Sequence, residues 1–330
     1  MSVWTTMNEA RTERTDQLLK MPPRCAVSLT FANRGENSVG MEMIGGAASQ
    51  LVTMQMLQAA KLQWESGNGL DGTVQVGEAE LHDLSSMVDP QLVSACGGDG
   101  LGAGVLVLRG FAQRLLGPDA PAQIEHELEM QLSAGKVDSK ALMRGQVKNK
   151  NARHNNVMAH FDQAPDHAAG KGTVVKIADY PFINGLTAQA SMWMQQDNPL
   201  ICEQNRYYDV EQCGIGWHGD GEREIVLGYR AGEATNEMPM MFQAFYRGEA
   251  VGPQTNLRLN RGDVYIMTSK AVGTDWKCSS KLTWRHAAGN PATCSYVETK
   301  VEKAAKSAGA QARRGISKAK KVVRKSPFLK

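Results

Sequence analysis

A chain of 330 residues with 42% hydrophobic residues is long enough to bury a core, as one large domain or two small ones. No apolar run is long enough to cross a bilayer as a helix. The first residues, Met1-Ser2-Val3-Trp4, lack the basic-then-apolar pattern of a secretory signal, so an intracellular protein, nuclear or cytoplasmic, without membrane contact is expected. The net charge of +3 hides an asymmetry: Lys300 to Lys330 holds 11 Lys/Arg and one acid, Glu302, a net +10 that leaves −7 on the rest.

Residues 1–24 read as a helical extension, with a short amphipathic helix from Asn8 to Leu19 that ends at Pro22-Pro23. Cys25 to Phe31 alternates like a strand, and 46–66 has helical spacing through Leu51, Met54, Leu57 and Ala60. The Gly-rich run 97–104 precedes the strand-like Gly104 to Arg109. A dinucleotide site places its glycines after a strand, so a loop is expected here. Residues 121–135 read as a helix, 141–171 as a basic, amide-rich loop, 173–177 as a strand and 183–196 as a helix. From 201 the pattern changes to short strands and turns: strands near 201–208, 213–218, 223–230, 239–246, 256–260, 263–268, 281–287 and 293–298. About eight short strands suggest a double-sheet jelly roll. The fold class expected is α+β: a double-stranded β-helix core over 181–299, helices packed on one side, an α/β part over 25–180 and a flexible basic tail over 300–330. Cys25, Cys96, Cys202, Cys213, Cys278 and Cys294 form no CxxC pair, which argues against a zinc ribbon or disulfide scaffold and for reduced thiols.

The segment Cys213-Gly-Ile-Gly-Trp-His-Gly-Asp220 sets His218 and Asp220 two residues apart after a strand-like run, where i and i+2 share a face. An imidazole and a carboxylate on one face are two thirds of a two-histidine, one-carboxylate metal site. The chain has one further histidine beyond His218, His286, so a complete triad requires His286.

The segments Asn205-Arg-Tyr-Tyr, His218-Gly-Asp-Gly-Glu-Arg223, Gly262-Asp-Val-Tyr-Ile-Met267 and Leu282-Thr-Trp-Arg-His286 resemble the AlkB-like branch of the Fe(II)/2-oxoglutarate dioxygenases. The resemblance is closest to uncharacterised AlkB-like proteins of algae and their large DNA viruses, and it covers roughly residues 25–297. It implies an oxidoreductase that binds Fe(II) through His218, Asp220 and His286, the catalytic centre, and uses 2-oxoglutarate and O2 to hydroxylate a C–H bond. It implies that Asn205 and Tyr207 contact 2-oxoglutarate.

The family also uses an Arg or Lys after the distal histidine to grip the far carboxylate, and residues 287–299 contain neither. Arg285 and Arg230 are the candidates. Arg285 adjoins His286 and so faces the opposite side of a regular strand, whereas Val226, Gly228 and Arg230 would share a cavity face, which favours Arg230. In the 144–155 loop, Lys148, Lys150, Arg153 and Asn155 are substrate candidates by analogy with the family's lid. The tail and this loop suggest a nucleic-acid partner, with Lys318 to Lys325 also readable as an import signal. Three functions stay open: oxidation of an alkylated nucleic-acid base, the same chemistry on a protein or small molecule, and a degenerate barrel that binds nucleic acid.

Overall fold

The computed structural model describes residues 19–67, 77–96, 102–290 and 293–294. In chain order the first strands are β1 (Ala26–Ala32), β2 (Arg34–Glu36), β3 (Met43–Gly45), β4 (Ala79–Asp83), β5 (Gly104–Leu108), β6 (Lys140–Met143), β7 (Gln146–Asn149) and β8 (His154–Ala159). They continue as β9 (Val174–Lys176), β10 (Ile201–Tyr207), β11 (Ile215–His218), β12 (Val226–Ala231), β13 (Met240–Tyr246), β14 (Glu249–Leu257), β15 (Val264–Met267) and β16 (Thr283–Ala288). The α-helices are α1 (Met54–Ser66), α2 (Pro90–Ala95), α3 (Phe111–Leu116), α4 (Ala120–Ser133), α5 (Pro181–Trp193) and α6 (Ser269–Val272). Among the described residues, no helix is long and apolar enough to cross a membrane.

The architecture is mixed α/β, mostly strands in antiparallel sheets. One sheet runs β4-β5-β15-β12-β1-β10-β8-β9 and a second β11-β16-β13-β14, with β8–β9 the parallel pair. The larger sheet ignores the boundary drawn at residue 180 from the sequence: β1 inserts between β10 and β12, with Ser28 opposite both Asn205 and Arg230. Period two then sorts the side chains. Val27, Leu29 and Phe31 of β1, Leu227 and Tyr229 of β12, and Val264 and Ile266 of β15 pack with Leu57, Ile124, Leu128, Ile183 and Leu186 of the helices. The alternate residues face the second sheet, where Val226, Tyr265 and Met267 pack near Phe242, Trp284 and Ala288.

The helices begin and end on local signals. Thr53 accepts the Met56 amide to cap α1, and Gly67, left-handed at φ 71°, ends it. The expected helix over 46–66 therefore starts only at Met54. Pro181 opens α5, and the Glu127 carboxylate of α4 accepts the Phe182 and Ile183 amides at that end, 2.9 Å each. Trp64, Phe111 and Trp193, with ring centroids 5.5 to 6.0 Å apart, lock α1, α3 and α5 together.

Residues 141–171, expected as a wet loop, instead hold most of the β6–β7 hairpin and β8. Lys150 is buried. Its ammonium donates to the Asn37 carbonyl and Oδ1 (3.2 and 2.6 Å) and to Asn155 Oδ1. Asn155 Nδ2 donates to the same Asn37 carbonyl at 2.6 Å, and Asn37 Nδ2 to Asp138 at 2.6 Å. Lys150 and Asn155 are thus internal to a polar network that ties β8 to the turn after β2, and Lys148 is exposed on β7. Lys150 and Asn155, expected at the substrate, are instead committed to this internal network. Lys150→Met should cost about 3 kcal/mol in chemical denaturation, because it orphans buried acceptors, whereas Lys148→Met should stay within about 0.5 kcal/mol. The expected helix at Asn8–Leu19, the basic tail and most of the 293–298 strand lie outside the described residues.

Candidate metal centre and the cavity around it

His218 ends β11 and His286 lies opposite it on β16. Asp220 is not on a strand: it sits in the turn after β11, where its amide donates to the Val272 carbonyl at 3.0 Å. Gly219 makes that turn possible, since a side chain there would run into the Gly273 carbonyl oxygen and Trp276. The three side chains converge, with ligand atoms all within 4.8 Å of one another. Asp220 Oδ1 lies 3.4 Å from His218 Nε2 and 3.5 Å from His286 Nε2. His218 Nδ1 is 2.7 Å from the Gly216 carbonyl; that contact places the proton on Nδ1 and leaves Nε2 free as a ligand.

The electrostatics suit a cation. Burial opposes ionisation of Asp220, yet Arg223, followed by the two imidazoles, holds its carboxyl well below the usual carboxylate range. Burial lowers the His286 pKa and so favours the neutral, ligating imidazole. Glu203, Glu222 and Asp220 surround the guanidinium of Arg223.

The triad opens on a cavity of about 730 Å³ between the sheets. Arg230 lines it and is 0% exposed, yet none of its three guanidinium nitrogens has a hydrogen-bond partner among the described residues. A buried cation with five unmet donors needs an anion. Ser28, Asn205, Tyr207 and Tyr265 share the cavity wall. Burial raises the pKa of both phenols, so they stay protonated as donors. Tyr265 occupies the space that a side chain at Gly228 would fill.

The remaining sequence candidates separate. Arg153 lines the cavity and donates through Nε to Asn205 Oδ1 at 2.5 Å. Arg285 does not line it: the guanidinium lies 4.0 Å over the Phe245 ring and 5.3 Å from the Trp276 ring, on the opposite face of β16 from His286. Sequence reasoning did not single out Glu36, Glu203, Glu222, Arg223, Tyr265 and Trp276, all of which line the cavity. Glu203 was within reach, since it stands two residues before Asn205 on one strand face.

Burial, and then Glu222, pushes the Glu36 carboxyl up to about 7. A carboxyl raised in the folded state contributes stability at low pH that is lost as pH rises through the folded value. Glu36→Gln should therefore leave stability unchanged near pH 4 and raise it by roughly 1–2 kcal/mol at pH 8, after allowance for partial exposure. Urea denaturation at the two pH values checks this.

No protein-family model matches the chain. It is 35% identical over 266 residues to an uncharacterized protein, R156, of Acanthamoeba polyphaga mimivirus, an alignment that spans 80% of this chain and 95% of the viral one. The chain belongs to the family of that viral protein.

Proposed function

We propose that this member of the R156 family is an Fe(II)/2-oxoglutarate-dependent oxygenase of AlkB-like type, with the two facing sheets as its jelly-roll core. The observation that carries the reading is one cavity holding both a His218–Asp220–His286 cluster and the buried, unpaired guanidinium of Arg230. The two-nitrogen, one-oxygen donor set is the type that suits non-haem Fe(II) and leaves positions open. Fe(II) bound with 2-oxoglutarate and O2 supplies the oxidising power that hydroxylates a C–H bond.

The chain's own residues bind and orient. His218, His286 and Asp220 would hold the metal. Arg230 would receive the far carboxylate of 2-oxoglutarate, with Ser28, Tyr207 and Tyr265 on the same cavity wall. Arg285 has no part in this grip. The lack of Lys and Arg over 287–299 favoured a degenerate barrel, and Arg230 on β12 supplies the missing cation from another strand. We extend the proposal to oxidation of an alkylated nucleic-acid base, because the net +10 tail attracts phosphates.

Succinate release with methylated oligonucleotides tests the reading. The wild type should form succinate and His218→Ala should form none. Removal of residues 300–330 should cause a loss that is largest at low salt and shrinks as salt rises. Unchanged turnover after truncation points to a protein or small-molecule substrate, and no succinate with any substrate class overturns the activity.

A further inference from the structure

We infer that Arg223 is a positioning residue that decides which oxygen of Asp220 meets the metal. The inference rests on the metal reading above. Asp220 presents Oδ1 to both imidazoles, while Oδ2 lies 3.8 Å from Arg223 Nε. The guanidinium cannot drift from that place. Its Nη2 donates to Glu203 Oε2 and to Glu222 Oε1, 2.6 Å each, and its Nε to Glu222 Oε1 at 2.9 Å. Glu203 is fixed in turn by Asn205 Nδ2, which donates to Oε1 at 2.9 Å. A row of four side chains, Asn205–Glu203–Arg223–Asp220, therefore runs from the wall of β10 to the metal ligand.

Stability alone does not explain this row. Arg223 and Glu203 are buried, and a buried ion pair commonly gives no advantage over apolar groups of the same volume. The neighbour that gains is Asp220, which stands in a turn rather than on a strand and meets Arg223 through Oδ2. With Arg223 in place, Asp220 ligates through Oδ1 alone. Without it, Oδ2 is free to swing onto the metal and close a position needed by co-substrate. A guanidinium is suited to the task because its Nη2 and Nε engage Glu203 and Glu222 and so hold its charge 3.8 Å from Asp220 Oδ2. A lysine keeps the charge but has one nitrogen for all three.

The test is Co(II) binding to the full-length apo protein, followed by its visible absorption bands, which report coordination. Arg223→Lys should bind Co(II) about 10- to 100-fold more weakly than wild type, the range for lost supporting partners of a ligand. Its Co(II) bands should differ in shape and intensity. Glu203→Gln should shift the bands in the same direction by less, and the double variant should fall short of the product of the two losses, because both act through one array. Arg223→Lys bands and affinity that match wild type overturn the positioning role. If near-UV dichroism shows that Arg223→Lys does not fold, Glu203→Gln decides: unchanged bands there overturn the inference equally. Failure of wild type to bind Co(II) sinks the metal reading itself, a result distinguishable from either.

Discussion

His286→Ala is expected to abolish stoichiometric metal binding, with an affinity loss of at least ~1,000-fold, and to leave the fold intact. The magnitude follows from ligand count. In the proposed site three side chains would hold the ion, and a full set of protein ligands binds a transition metal with roughly 10 kcal/mol or more, so each ligand would carry several. The fold should survive because the deleted ring is a poor contributor to stability: its Nδ1 is buried without a hydrogen-bond partner among the described residues, which offsets part of the cavity left beside Phe242. His218→Ala and Asp220→Asn should behave alike, while His160→Ala, exposed in the loop before Phe161, should bind as wild type. Equilibrium dialysis with metal analysis checks all four.

Arg230→Met is expected to separate co-substrate from metal. It should keep Fe(II) or Co(II) binding yet weaken 2-oxoglutarate by at least ~100-fold, since a bidentate charge-assisted pair inside a cavity is worth roughly 3 kcal/mol or more. It should also stabilise the ligand-free protein by about 1–3 kcal/mol, because methionine fills the same space without burying an unpaired charge. Thermal unfolding reads both effects. The wild-type midpoint should rise with added 2-oxoglutarate, and the variant should start higher and not respond. Arg230→Lys should fall between, with its charge retained and the fork lost.

Strand parity explains what could be read before any fold was known. On β12 it put Arg230 on a cavity face with Val226 and Gly228; Arg230 does line the cavity, while Leu227 and Tyr229 pack with the helices. On β16 it set Arg285 against His286, and the two do face opposite ways. The same rule gave the right neighbours for the wrong reason at His218 and Asp220. β11 ends at His218, and Asp220 is brought back by a turn that Gly219 permits and the Val272 carbonyl secures.

Two features were not legible. The first is register across distant strands: Ser28 stands beside Asn205 and Arg230 only because β1 inserts between strands nearly two hundred residues away. Local propensity carries no trace of that. The second is the fate of a polar run. Lys148 to Asn155 has the composition of a solvated loop, and composition cannot tell donors satisfied by water from donors satisfied by Asn37 and Asp138. The extra residues of the cavity wall that no strand parity reaches, Arg223 above all, belong to the same class. Their roles are set by what lies across the cavity.

The most direct test of the whole reading is an anaerobic titration of the wild-type protein with Fe(II) and 2-oxoglutarate, followed by visible absorption. A weak charge-transfer band should appear at one equivalent of each, vanish in His286→Ala, and fail to develop in Arg230→Met although the iron is retained. A wild-type protein that retains no iron and shows no band would contradict it.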